Sequence, residues 1–259
     1  MVQSSALQVP GAEVKRALPV AWNFVMDVIH PQSKTLTARI GFYKVGKMQF
    51  ISHLDLQRFM KRAFVRSGLP IWFSEGFNPH PKMVFSTPLS IGIQSECEFA
   101  DIKMTSPVTP AQIVDALNPC MPDELQLFYA APPVHKMTDI GYASYDIRIT
   151  HPMNSADMAS SLDTLFSSPL ILTKKSKSGD RDTDITPFIK SAKTEFDVKT
   201  DLMTIHCLLC ADNANFLNPD YLMRGAARDL GLTFDDPAQA WYETVRTDIY
   251  LTDGVTPFL

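Results

Sequence analysis

A chain of 259 residues with 45% apolar side chains has enough material for one large or two small domains with real cores, which excludes disorder throughout. Its formal charge of −4 is unevenly spread: residues 39 to 82 carry Arg39, Lys44, Lys47, Arg58, Lys61, Arg62, Arg66 and Lys82 against only Asp55 and Glu75. An acidic protein with one concentrated positive field suits steering of an anionic ligand to one place, and argues against general adhesion to nucleic acid or membrane.

In chain order, residues 1 to 33 read as an N-terminal arm, partly ordered. Residues 35 to 44 follow as a strand and 53 to 67 as a helix, with Leu56, Phe59, Met60, Ala63 and Phe64 at helical spacing. Strands are expected near 70 to 74 and 94 to 104. Thr109-Pro110 has the chemistry of an N-cap followed by a first-turn proline, opening a helix that buries Ile113, Val114 and Leu117 ahead of a strand at 124 to 130. The order βαββαβ is the ferredoxin-like arrangement. The second half repeats the plan: a strand at 143 to 150, a helix from Asn154, a strand at 169 to 174, a hairpin over 194 to 210, a helix opened by Asn218-Pro219 and stopped near Gly231, and a strand from Trp241 to Leu251. The expected fold is therefore α+β, two tandem ferredoxin-like modules over residues 34 to 133 and 134 to 259.

The segment Ser74-Glu75-Gly76-Phe77-Asn78-Pro79-His80-Pro81-Lys82 carries the densest local signal. Two prolines hold the backbone on either side of His80, and Gly76 supplies a turn that few other residues tolerate. A loop this stiff presents something. Phe77 offers an aromatic face and Asn78 an amide. Upstream, Ser52-His53-Leu54-Asp55 opens the helix on which Arg58, Arg62 and Arg66 fall at i, i+4 and i+8, with Lys61 beside Arg58. The candidate ligand or RNA site is thus Ser52, His53, Asp55, Arg58, Arg62, Arg66, Ser74, Gly76, Phe77, Asn78, His80 and Lys82, a phosphate track beside a rigid histidine loop. His80 could stack on or hydrogen-bond a base, or share proton transfer with His53; the residues leave both open. Lys174, Lys175, Lys177 and Arg181 form a second basic loop, with Asp184 to Ile189 as a corner that positions it.

Other chemistries find little footing. Cys207-Leu208-Leu209-Cys210 after His206 superficially resembles half a zinc site, but it has no second pair, and residues three apart on a strand face opposite ways. No metal site and no bound cofactor are expected, since there is neither an iron–sulfur cysteine run nor a phosphate-cradling Gly-x-x-x-x-Gly-Lys loop. Four cysteines do not make a disulfide framework, no signal peptide is evident, and the apolar stretch Leu18 to Ile29 is broken by Pro19, Asn23 and Asp27. A cytoplasmic protein without a membrane partner is expected.

The run from Phe42 to Asp101, with Phe50-Ile51-Ser52-His53-Leu54-Asp55-Leu56, Arg58, Arg62-Ala63, Leu69-Pro70, Ser74 to Lys82, Pro88-Leu89, Gly92, Ser95, Glu98 and Asp101, resembles the radical-SAM-linked family of unassigned function. Weaker similarity continues through Asp184 to Ile189 and Asn218-Pro219-Asp220. Members occur alone or as the C-terminal part of chains whose front is a cobalamin-binding-like radical SAM protein. The resemblance implies a separate radical SAM protein as partner, because this chain has no such portion, and a connection to RNA metabolism. The resulting expectation is an RNA-binding accessory protein acting with that enzyme and presenting or holding a structured RNA. The alternatives are a metal-independent endoribonuclease using His53 and His80, since tandem ferredoxin-like modules resemble the CRISPR-repeat endoribonucleases, or a protein–protein adaptor that binds no nucleic acid.

Overall fold

Local signals place the helices. In the computed structural model, which describes residues 36–174, 179–212 and 214–259, Ser52 caps α1 (His53–Arg66) by accepting a hydrogen bond from the Asp55 backbone amide. Thr109 caps α2 (Pro110–Leu117) in a reciprocal capping box with Gln112. Ser155 caps α3 (Ala156–Phe166), and α4 (Asp220–Leu230) stops at Gly231, whose φ of 71° is a left-handed conformation that suits glycine. Residues 1 to 33 and the two basic residues Lys175 and Lys177 lie outside the described residues.

The protein is α+β, dominated by one large mixed sheet. The first half supplies β1 (Leu36–Lys44), β2 (Met83–Phe85), β3 (Ile93–Met104) and β4 (Leu127–Ala131). The second supplies β5 (Ile140–Thr150), a small hairpin of β6 (Ile171–Lys174) and β7 (Arg181–Asp184), then β8 (Ile189–Asp197), β9 (Leu202–Cys210) and β10 (Trp241–Leu251). The sheet runs β4-β1-β3-β10-β5-β9-β8, with β2 also on β3. Every neighbouring pair is antiparallel except β3 with β10, which meet in parallel through Ile93 to Ser95 and Thr244 to Arg246. That parallel contact is the seam between the halves.

Two expected strands and one expected loop differ. Residues 70 to 74 make only single bridges, Ile71 to Met104 and Phe73 to Pro81; the paired strand is β2, because the prolines at 79 and 81 delay regular pairing until residue 83. Asp123–Leu125 is a short 3-10 turn before β4 rather than the start of a strand. The stretch read as a polar loop from Lys174 to Asp184 ends in β7, whose Arg181 pairs with Lys174.

Strand β3 feeds two cores from its two faces, since successive side chains alternate. Ala100, Ile102 and Met104 pack with Leu56, Met60 and Phe64 of α1 and with Ile113 and Leu117 of α2. Ile93, Cys97 and Phe99 join Tyr145, Ile147, Leu162, Met223 and Phe258 in the core of the second half. Phe59, expected inside, is only half-buried. No helix among the described residues is long and apolar enough to cross a membrane.

Candidate functional site

The basic helix face and the histidine loop occupy the first half. Ser52 Oγ donates to Asp55 Oδ2 at 2.7 Å, and Arg58 Nη1 reaches Asp55 Oδ1 at 3.0 Å, so one cation of the stripe is already paired at the surface. Ser52 and Arg58 together hold the Asp55 carboxyl below its ordinary pKa. Arg66 donates to the Cys120 carbonyl at 2.8 Å. Arg62 is exposed and makes no hydrogen bond or ion pair among the described residues.

His80 sits in a tied hairpin. Ser74 N donates to His80 O at 2.9 Å, His80 N returns a bond to Ser74 Oγ at 3.2 Å, and the ring Nδ1 lies 3.0 Å from the same hydroxyl and 3.2 Å from Asn78 O. Gly76 turns the tip with a φ of 120°. At that tip Phe77 is 112% exposed, a large apolar ring held entirely in solvent. Beside the hairpin, the Trp72 ring has two ammonium groups within 6 Å, Lys82 at 5.8 Å and Lys103 at 5.9 Å. Aromatic faces flanked by cations are the elements of a stacking surface for unpaired bases.

His53 belongs to a different network. Its Nε2 lies 2.8 Å from Gln57 Nε2 and its ring packs edge-on to Phe85 at 5.5 Å. Burial lowers its pKa, with Glu98 opposing and Lys44 reinforcing the shift. No hydrogen bond or ring contact joins His53 to His80 among the described residues.

Two of the eight basic side chains counted toward the positive field do not reach the surface. Arg39 is 1% exposed, forks onto Asp101 through Nε at 2.8 Å and Nη2 at 3.0 Å, and lies 4.2 Å over the Phe258 ring. Lys44 is also 1% exposed and donates to the Gln49 carbonyl at 3.1 Å. It belongs to a buried polar cluster at the seam, where Arg246 pairs with Glu98, bonds the Thr87 hydroxyl at 2.9 Å and approaches Ser95 Oγ at 3.5 Å. Burial opposes the Arg246 charge, but Glu98, with Tyr145 and Cys97, outweighs it and raises the guanidinium pKa. Burial lowers the Lys44 pKa, Glu98 offsetting part and Arg246 adding to it. Cys97 and Tyr145 close the cluster, both pushed by burial to about 12. Sequence reasoning quoted Ser95 and Glu98 without a role and missed Arg246, Thr87 and Tyr145. The signal was only that two cations, Arg39 and Lys44, sit in a mostly apolar strand.

In the second half, Lys174 of the basic loop lies 4.8 Å over Phe188 and 6.0 Å from the Tyr221 ring, while Arg181 is exposed. The Asp184 corner is tight: its Oδ1 accepts from the amides of Leu170 at 3.2 Å and Thr186 at 3.0 Å. Cys207 and Cys210 are buried free thiols, and His206 instead bonds Asp146 at 2.7 Å. The described residues contain no cluster that could hold a metal ion.

No curated protein matches this sequence. Solved structures with a weak likeness include a chain of the Cbf5-Nop10-Gar1 complex, 11% identical over 82% of this chain and 48% of its own, with a TM-score of 0.43. This chain therefore spans about half the length of that relative. Thermus thermophilus Cse3, solved bound to an RNA representing a pre-cleavage complex, is 8% identical over 74% of this chain and 90% of its own, with a TM-score of 0.20. DyPB from Rhodococcus jostii RHA1 is 8% identical over 85% and 95%, also at 0.20. These likenesses are too weak to carry an argument about function. The sequence is decisive where the folds are not: residues 37–219 match the family described as "Uncharacterized protein conserved in bacteria (DUF2344)", and the chain belongs to that family.

Proposed function

We propose that this protein is an RNA-binding accessory factor that holds RNA for a separate radical SAM enzyme in the cytoplasm. One observation carries the RNA reading: Phe77 stands fully in solvent on a hairpin tied by Ser74 and His80, next to a Trp72 ring flanked by Lys82 and Lys103. Exposing a phenylalanine on a loop held in advance costs solubility, and a base stacked on it would recover that cost with little further ordering. Arg58, Lys61 and Arg62 of α1 would contact the phosphates. The enzyme partner rests on the sequence resemblance alone. Four free cysteines suit a reducing compartment.

We also read the two halves as ferredoxin-like modules. In support, β4-β1-β3-β2 and β10-β5-β9-β8 have the same order when the paired strands of each half are numbered in sequence, each with one helix after its first strand and one after its third. The hairpin of β6 and β7 is an insertion in the second.

The endoribonuclease alternative needs His53 and His80 to act on one phosphodiester. Their rings sit in separate hydrogen-bond networks, so we place binding first. Filter binding of single-stranded RNA across a salt series tests the proposal. Replacing Lys61, Arg62 and Lys82 with alanine should weaken binding and reduce the slope of log K against log salt by about 0.7 per lost contact. An unchanged slope refutes it, and chelator-resistant cleavage abolished by His80→Ala would instead establish the enzyme.

A further inference from the structure

A second polar site lies over the seam. Where β3 begins beside β10, a cavity of about 420 Å³ is lined by Ser90, Ile91, Asn218, Asp220, Tyr242 and Thr244, in the size range of small-molecule sites. Its walls come from distant parts of the chain, tied by a hydrogen bond from Asn218 Nδ2 to Ser90 Oγ at 3.1 Å and one from the Tyr242 hydroxyl to Asp220 Oδ1 at 2.8 Å. Thr244 lines this cavity, and its hydroxyl makes no hydrogen bond among the described residues. A hydroxyl at a cavity wall with no protein partner can give its bond to a ligand.

The donors and acceptors select the ligand. No lysine, arginine or histidine is among the described lining residues, which disfavours a phosphate or carboxylate. The only charge is Asp220, in the first turn of α4, where the positive end of the helix offsets it and disfavours a cation. Burial and this carboxylate raise the Tyr242 pKa, so the phenol keeps its proton and holds one carboxylate oxygen. The other oxygen, Oδ2, makes no hydrogen bond among the described residues and is left to accept. Ser90 already accepts from Asn218, so its own proton is available to donate, as is that of Thr244. One strong acceptor lining the same cavity as two hydroxyl donors matches two adjacent hydroxyl groups, each able to give one bond and take another. Ile91, 62% exposed, offers an apolar surface at the edge for a sugar ring or base.

We propose that this cavity is a ribose site that takes the cis-diol of a nucleoside. The diol can come from a free nucleoside or from the 3′ end of an RNA, and the site serves either. It does not depend on the RNA reading above, because a free nucleoside satisfies it. Calorimetric titration of the full chain with adenosine, with 2′,3′-dideoxyadenosine, and with a short RNA before and after periodate oxidation of its terminal diol tests the proposal. Adenosine or the intact RNA end should bind, and loss of the diol should weaken that binding about 10- to 100-fold. Binding by adenosine but not by the RNA end identifies a free nucleoside as ligand; the reverse identifies the terminus. Thr244→Val and Ser90→Ala should each weaken binding while circular dichroism stays unchanged. Equal affinity with and without the diol, or no binding by either probe at millimolar concentration, overturns the proposal; the diol comparison decides it even if a variant fails to fold.

Discussion

The buried cluster at the seam makes a quantitative prediction about stability. Glu98 is the carboxylate that faces two buried cations, Arg246 at 0% exposure and Lys44 at 1%. Glu98→Gln keeps the shape and one acceptor but leaves both cations without a counter-charge, and such losses cost about 3–5 kcal/mol. Set against a stability of about 5–15 kcal/mol for a typical domain, that is a large fraction. Lys44→Met should cost only about 1 kcal/mol, because it forfeits the bond to the Gln49 carbonyl while leaving Glu98 and Arg246 matched in charge. With Lys44 removed, Glu98→Gln leaves one unpaired cation instead of two that repel each other, so its cost should fall by about 1–3 kcal/mol. Urea unfolding of the four proteins, followed by tryptophan fluorescence and circular dichroism, measures all three quantities. The alkaline limb adds an independent check. The folded Lys44 pKa lies below 10.5, so between the two values the unfolded chain still holds a proton that the folded chain has lost. Stability therefore rises with pH across that window, and Glu98→Gln should widen the window downward. A cost below about 1 kcal/mol for Glu98→Gln, or the same cost in both backgrounds, would show that the cluster is not electrostatically coupled.

The other expectations are more local. His53→Gln should flatten the acid side of the stability profile: the folded His53 pKa lies below 6.5, the unfolded chain takes up that proton first, and wild-type stability is lost as pH falls from 6.5 through the folded value. Phe77→Ala should leave the melting temperature unchanged and weaken single-stranded RNA binding by about 1–3 kcal/mol; unchanged affinity would remove the stacking role. Gly231→Ala should cost about 1 kcal/mol in urea unfolding, because alanine is strained at the left-handed end of α4, and a neutral result would mean the helix ends elsewhere in solution. Asp55→Asn should leave the urea midpoint almost unchanged, since its pair with Arg58 is exposed; a clear drop would assign the N-terminus of α1 a structural role beyond its cap.

What the sequence determined by itself was local. Thr109 with Pro110, Ser52 before α1, and Gly231 after α4 each act through bonds within a few residues, so the helix starts and stops were legible from residue type and spacing. The element order and the glycine turn within the Ser74 to Lys82 segment were legible for the same reason, although its tie through the Ser74 hydroxyl and the exposure of Phe77 were not. Tertiary structure decided what depends on partners far along the chain. Arg39 and Lys44 count as surface cations in any composition window, yet Asp101, 62 residues from Arg39, and the cluster around Glu98 hold them inside. Arg246 meets Glu98 across 148 residues because β10 slots beside β3 in parallel, a pairing that no periodicity announces. The cavity has the same origin: Ser90, Asn218 and Thr244 are unremarkable where they stand in the sequence, and only closure of the seam turns their side chains toward one space. Local bonds can be read from neighbours, whereas the fate of a buried charge or an unpaired hydroxyl depends on which distant strand the fold places against it.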